Sequence, residues 1–258
     1  MAKIALLITI LILAFNVSAR QWKDIRFGVG GDYPPFSKTE PDGSVGGFEI
    51  DLSHAICAKM KAKCTYIKLG WDAIIPALLV HKVDAIMDTV DITKQRKMKV
   101  AFTNKYLQIP ARFAALKSTP YRGTNAFMKG KKIGVQRSST MDVYVSHKFP
   151  SAKIKRYDTI NQSYLDLKAG RLNYILADMS ATISGLLEKK GGDQYMFVGP
   201  KLSNPKWFGE GVGIVVRKGD SDLTKQFNTA IKAVRADGSY KKIQDRYFTF
   251  DVYGDKKS

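Results

Sequence analysis

The chain has 258 residues, of which 45% are hydrophobic, 25% charged and 11% aromatic, with a formal net charge of +19. This is a globular composition, neither disordered nor collagen-like, and a chain of this length buries enough surface to fold without a structural metal or a dense disulfide scaffold. Two cysteines cannot form a four-thiolate zinc site, His54, His81 and His147 show no ligand spacing, and no P-loop, H-E-x-x-H or G-x-S-x-G segment occurs, so no cofactor or metal is expected.

The N-terminus sets the expected compartment. Lys3 precedes the unbroken apolar run Ile4–Phe15, and Val17-Ser18-Ala19 then supplies small residues. This three-part pattern is that of a secretory signal peptide, residues 1–19, cut after Ala19. The run is shorter than the about 20 apolar residues that a membrane span needs. Export to the periplasm as a soluble chain is therefore expected. Oxidising conditions there favour pairing of Cys57 and Cys64, which would tie the end of a helix to the next strand; two buried free thiols are the alternative. The basic residues are dispersed along the chain. Dispersed charge is a solvated face in most proteins, and with no reader motif or focused patch nucleic-acid binding is not expected.

Strand and helix patterns then alternate. Ile25–Val29 reads as a strand, Phe48–Lys61 as a helix with apolar residues at Ile50, Leu52, Ala55, Ile56 and Met60, and Thr65–Ile67 as a strand. Trp71–Val80 reads as a helix containing Pro76, Val83–Met87 as a strand, and Thr93 as the N-cap of a short helix. Arg112–Leu116 is a strand. The rhythm restarts with the strand Lys132–Gln136, an N-cap cluster at Ser138-Ser139-Thr140 and its helix, the strand Ile154–Tyr157 and the helix Gln162–Ala169, stopped by Gly170. Tyr174–Ala177 is a strand, Met179–Lys189 a helix, Gly211–Val216 a strand, and Leu223–Arg235 and Ser239–Tyr247 are helices. Such alternation predicts an α/β protein with mostly parallel sheets. The restart predicts two lobes, with breaks near Asn104–Pro110 and in Gly199–Lys206. Ligands of open α/β sheets bind beyond the carboxyl ends of the strands, so a cleft between the lobes is the expected site.

Several segments coincide with one family: Tyr33-Pro-Pro-Phe36, Gly47-Phe-Glu-Ile-Asp-Leu52, Asp72-Ala-Ile-Ile-Pro-Ala-Leu78, Asp84-Ala-Ile86 and Asp91-Ile-Thr93 with Arg96, then Gly134-Val135 with Ser139-Thr140, Asp166–Leu172, Phe208-Gly-x-Gly211 and Asp237-Gly-Ser-Tyr240. In this order and spacing the chain resembles the polar amino-acid solute-binding proteins of bacterial ABC importers, family 3, and most of all the lysine/arginine/ornithine-, histidine- and arginine-binding receptors. The resemblance runs over Arg20–Asp255. It implies a type II periplasmic binding protein fold: lobe 1 from 20–107 and 207–258, lobe 2 from 108–206, two crossing strands, and one ligand held between the lobes. It also implies binding without chemistry, a monomer, and delivery of the ligand to an inner-membrane ABC permease.

An amino acid presents a carboxylate, an ammonium and a side chain. Arg96 has the fork for bidentate carboxylate binding, and the helix opening at Ser139 and Thr140 offers backbone N–H groups to the same anion. Asp178 would accept from the ammonium. The resemblance places Thr89, Asp91 and Gln136 in the same site, and Tyr33 and Trp71 on either side of the ligand side chain, where a guanidinium stacks well. The lysine/arginine/ornithine receptor has serines where this chain has Asp88 and Asp91, an aspartate where it has Gly30, and a glutamine where it has Met141. Asp88 is therefore the expected partner of a distal cation. Carboxylates in a closing cleft must be paired, which favours a basic ligand, arginine before lysine or ornithine. If Asp88 and Asp91 instead pair with Lys94 or Lys99, then histidine, cystine, glutamine or an opine is the alternative. A cyclohexadienyl-dehydratase-like enzyme on the same fold is the further rival, for which Asp88 is the one unusual acid.

Overall fold

The computed structural model describes residues 21–254, so the signal-peptide reading of residues 1–19 lies outside the described residues. Two five-stranded sheets organise them. In the first, the strands run in the order Lys63–Lys68, Asp24–Val29, Ala85–Ile86, Val212–Val216, Ala101–Leu107; in the second, Lys153–Tyr157, Lys132–Gln136, Tyr174–Asp178, Ala111–Leu116, Tyr195–Leu202. A three-stranded ribbon of Asp32–Tyr33, Ser37–Thr39 and Val45–Gly46 caps one end of the first sheet's helix Phe48–Met60.

The sheets are mixed, which corrects the expectation of mostly parallel pairing. Asp24–Val29 lies parallel to both neighbours, with Asp24 opposite Lys63 and Phe27 opposite Ala85, whereas Val212–Val216 runs antiparallel to Ala85–Ile86 and Ala101–Leu107. The second sheet repeats this: Lys132–Gln136 is parallel to both neighbours, and Ala111–Leu116 is antiparallel to Tyr174–Asp178 and Tyr195–Leu202. The antiparallel members are the strands next to the crossings. The chain leaves the first sheet after Leu107 and enters the second at Ala111, and it returns from Leu202 to Val212. A strand delivered from another sheet need not follow the right-handed βαβ path that makes neighbours parallel.

Local chemistry explains the helices. Side chains of Thr93, Thr124, Ser139, Thr159 and Asn204 accept the first free backbone N–H groups of the helices that follow them, and Thr159 with Gln162 completes a capping box. Helix Ser221–Ala236 buries Leu223, Phe227, Ala230, Ile231 and Val234, a 3.6-residue stripe that packs on helix Phe48–Met60. Together with Phe27, Phe48, Leu52 and Ile56 this makes the first core, while Phe113, Ile133, Val135, Phe149 and Tyr174 belong to the second. Cys57 and Cys64 are joined by a disulfide, with Cα atoms 6.3 Å apart. Two local readings change. Met179–Lys189 is a four-residue α-helix followed by a π-turn, Ile183–Leu187, and the prolyl stretch after Gly199 begins inside a strand. Among the described residues no helix is long and apolar enough to cross a membrane.

Candidate functional site

Five loops converge between the sheets, each leaving the carboxyl end of a strand: Gly30–Tyr33 after Val29, Gly70-Trp71 after Lys68, Asp88–Asp91 after Ile86, Arg137–Ser139 after Gln136, and the turn at Asp178 itself. Strand ends point peptide N–H and C=O groups and loop side chains into that crevice, which is why the fold places its site there. The cavity they bound is narrow, with a volume of about 30 Å³.

Tyr33, Trp71, Asp88, Thr89, Asp91, Arg96, Gln136, Ser139 and Asp178, all expected from the sequence, line it. Thr140 does not; it stands behind Asp91, donating from Oγ1 to Asp91 Oδ2 at 2.7 Å. Asp32, Met141, Ile160, Leu176 and Ala177 also line the cavity and were not expected. The hydrophobic ones read as core in a sequence, and Asp32 reads as a turn residue, so only convergence of the loops marks them.

Among the described residues, polar contacts cross the cleft. Tyr33 Oη donates to Asp178 Oδ2 at 2.7 Å, Thr140 to Asp91 as above, Asn161 Nδ2 to the Asp32 carbonyl at 3.0 Å, and Arg137 Nε lies 3.7 Å from Asp72 Oδ2. The loops are thus drawn together over the cavity.

Arg96 is nearly buried. Its Nη1 donates to the Asp91 carbonyl at 3.0 Å and lies 3.8 Å from Asp91 Oδ2, and its guanidinium sits 5.3 Å from the centre of the Trp71 ring. Trp71 therefore holds Arg96 as well as facing the cavity. Burial pulls the Arg96 guanidinium down from its ordinary value, opposed by Asp91. Burial likewise pushes the carboxyls of Asp91 and Asp178 up, with Arg96 and Thr140 acting against this at Asp91 and the Asp91 charge adding to it at Asp178. Asp88 Oδ1 accepts from the Gly30 N–H at 2.9 Å and from Ser37 Oγ at 3.1 Å; burial still pushes its carboxyl up to about 7. Among the described residues no ion pair joins Asp88 or Asp91 to Lys94 or Lys99; Asp91 faces Arg96 instead.

Behind this wall lies a group that the sequence did not single out. Glu49, fully buried in the first turn of its helix, accepts from the Thr89 N–H at 2.7 Å, from Thr89 Oγ1 at 3.1 Å and from the Tyr106 hydroxyl. Thr89 has φ +50°, a conformation that costs a non-glycine residue energy unless its surroundings hold it. Glu49 is what holds it. Burial pushes the Glu49 carboxyl up to about 8, and the neighbouring Asp88 adds to this.

The cavity is thus lined by four carboxylates and, among the described residues, by one cationic side chain. No group of three or more His, Cys, Asp or Glu residues positioned to hold a metal ion occurs among them.

Comparison with known proteins fits this geometry. The family model of bacterial extracellular solute-binding proteins, family 3, matches residues 25–250. An L-arginine-binding protein of Pseudomonas aeruginosa is 47% identical over 234 residues, 90% of either chain. The lysine/arginine/ornithine-binding periplasmic protein of Escherichia coli is 38% identical over 233 residues, again 90% of either chain. A periplasmic binding protein of Salmonella typhimurium with high arginine specificity superposes with a TM-score of 0.81 at 30% identity, covering 88% of this chain and all of its own. With two α/β lobes, two crossings and a cleft at the strand ends, the fold is the type II periplasmic binding protein fold, and the chain belongs to the bacterial extracellular solute-binding proteins of family 3.

Proposed function

We propose that the protein is a periplasmic, monomeric receptor that captures a cationic amino acid, arginine before lysine or ornithine, and delivers it to an ABC permease of the inner membrane. The observation that carries this reading is the charge of the cavity, four carboxylates against one guanidinium. Buried carboxylates without cations are costly. A zwitterion with a neutral side chain brings one ammonium, whereas a basic amino acid brings two cations. The names of the similar proteins support the same ligand class.

In this reading Arg96 and the N-terminus of helix Thr140–Lys148 take the α-carboxylate. Asp178 takes the α-ammonium, exchanging its bond from Tyr33 for one from the ligand. Asp91 keeps Arg96 oriented, Trp71 and Tyr33 flank the side chain, Gln136 and Ser139 shape the mouth, and Asp88 meets the distal cation. Residues 20–107 with 207–258 move as one body and 108–206 as the other. The ligand touches both and so favours the closed form. A thermal-shift screen of the twenty amino acids with ornithine and citrulline tests the reading, since a ligand of the native state raises the melting temperature with its concentration. Arginine giving the largest shift supports it, and shifts from neutral amino acids alone would refute it.

One observation favours a second reading. Asp88, raised to about 7 and facing the cavity, has the character of a general acid, as a cyclohexadienyl dehydratase would need. Its hydrogen bonds come from the Gly30 N–H and Ser37 Oγ. Incubation with prephenate or arogenate, followed by absorbance, decides between binding and turnover.

A further inference from the structure

Gly30 follows the strand Asp24–Val29, and its backbone is not in the left-handed region. Its conformation therefore does not demand glycine; its surroundings do. A Cβ placed on it would stand 2.9 and 3.2 Å from the two Asp88 carboxylate oxygens and 3.1 Å from Asp32 Oδ1. The Asp88 carboxylate cannot easily swing away, because Oδ1 is anchored by the Gly30 N–H and by buried Ser37. The volume of a side chain at position 30 is thus already bordered by two acids from different loops.

The Asp32 charge adds to the burial that raises the Asp88 carboxyl, whereas Asp91 faces Arg96. Among the described residues neither Asp32 nor Asp88 has a salt-bridge partner, and no hydrogen bond reaches Asp88 Oδ2. Asp32 also belongs to the closing contacts, since Asn161 from the opposite sheet's helix holds its carbonyl.

Resting on the reading of the site as a receptor for a basic amino acid, we propose that Asp32 and Asp88 are its specificity-determining pair. They form a two-carboxylate clamp for the ligand's side-chain cation, and Gly30 is kept bare to seat it. Such a clamp prefers a guanidinium, whose rigid fork carries five donors in one plane, over an ammonium, which is a compact point charge. It discriminates strongly against a neutral isostere, which leaves both acids buried without a cation.

Calorimetry of the wild type, Asp32→Asn, Asp88→Asn and Gly30→Ala with arginine, lysine and citrulline tests this. The wild type is expected to bind arginine more tightly than lysine, and citrulline at least ~100-fold more weakly than arginine. Asp32→Asn is expected to weaken arginine about tenfold or more, narrowing the arginine-to-lysine ratio and leaving citrulline within about threefold. Gly30→Ala, whose methyl group displaces Asp88, is expected to weaken arginine more than citrulline. If Asp88→Asn fails to fold, the partly buried Asp32 and Gly30→Ala decide alone. Folded variants that keep the wild-type arginine affinity and both ratios overturn the clamp while the receptor reading stands. A wild type that binds none of the basic amino acids overturns the receptor reading itself.

Discussion

Tyr33 and Asp178, 145 residues apart in the chain, are joined across the cleft by a 2.7 Å hydrogen bond from the phenol to the carboxylate. In the proposed reading a ligand ammonium takes this same oxygen, so ligand and phenol would compete for one acceptor. Asp178→Asn removes the charge but keeps the shape. Its affinity for arginine is expected to fall ~100-fold or more, measured by calorimetry. Tyr33→Phe leaves the charge in place and is expected to cost about tenfold or less, because only one neutral donor is lost. Equal losses from the two variants would show that Asp178 does not meet an ammonium.

Arg96 is held from three sides, by the Asp91 carbonyl, the Asp91 carboxylate and the Trp71 ring, and Thr140 fixes that carboxylate from the other lobe. Arg96→Ala strands a buried carboxylate and a ligand anion, an effect on the order of 3–5 kcal/mol, and should abolish binding. Arg96→Lys should not restore it, because a point charge cannot replace the fork. Thr140→Val should weaken binding about tenfold. A change below tenfold in Arg96→Ala would remove Arg96 from the carboxylate contact.

Glu49 gives the protein a pH dependence of stability with a definite sign. Its carboxyl lies at about 8 in the folded state against 4.5 ordinarily. The native state therefore binds this proton more tightly than the unfolded state does, and its contribution is full below pH 4.5 and lost as pH rises through about 8. Denaturant melts across this window should show ligand-free stability from Glu49 declining with pH, and Glu49→Gln should flatten that decline. A variant with the same slope as the wild type would contradict the assignment.

The Cys57–Cys64 bridge closes a short loop between helix Phe48–Met60 and the edge strand Lys63–Lys68, and neither cysteine lines the cavity. Replacing both with serine should destabilise the fold by about 2.5 kcal/mol on the chain-entropy scale. Arginine affinity should stay within about twofold when binding is measured well below the variant's melting point. A large affinity loss at full folding would place the bridge in the closing motion.

How much of this was legible differs by level. Thr93, Ser139 and Thr159 announce their helices because a cap is a contact between a side chain and a backbone N–H two or three residues on. The strand Tyr195–Leu202 was not legible. Its Gly199-Pro200 reads as a break, yet the strand survives at the sheet edge with a register shift between Val198 and Leu202, where an unpaired proline is tolerated. Asp88, Asp91, Arg96 and Asp178, expected from their spacing around recognisable segments, line the cavity. Asp32 and Glu49 were not, because a turn aspartate and a helix-opening glutamate are ordinary in any sequence.

The chain by itself determined the alternation of strands and helices, the caps that begin them, the family and most of the polar residues that line the cavity, because these depend on contacts spanning a few residues or on an ordered set of short segments. Tertiary structure alone decided that four acids share one cavity with a single guanidinium, that Asp91 serves Arg96 and Thr140, and that Gly30 makes room for Asp88. Burial and pairing of charge are set by which distant loops meet and how much water they exclude, and no local pattern carries that information.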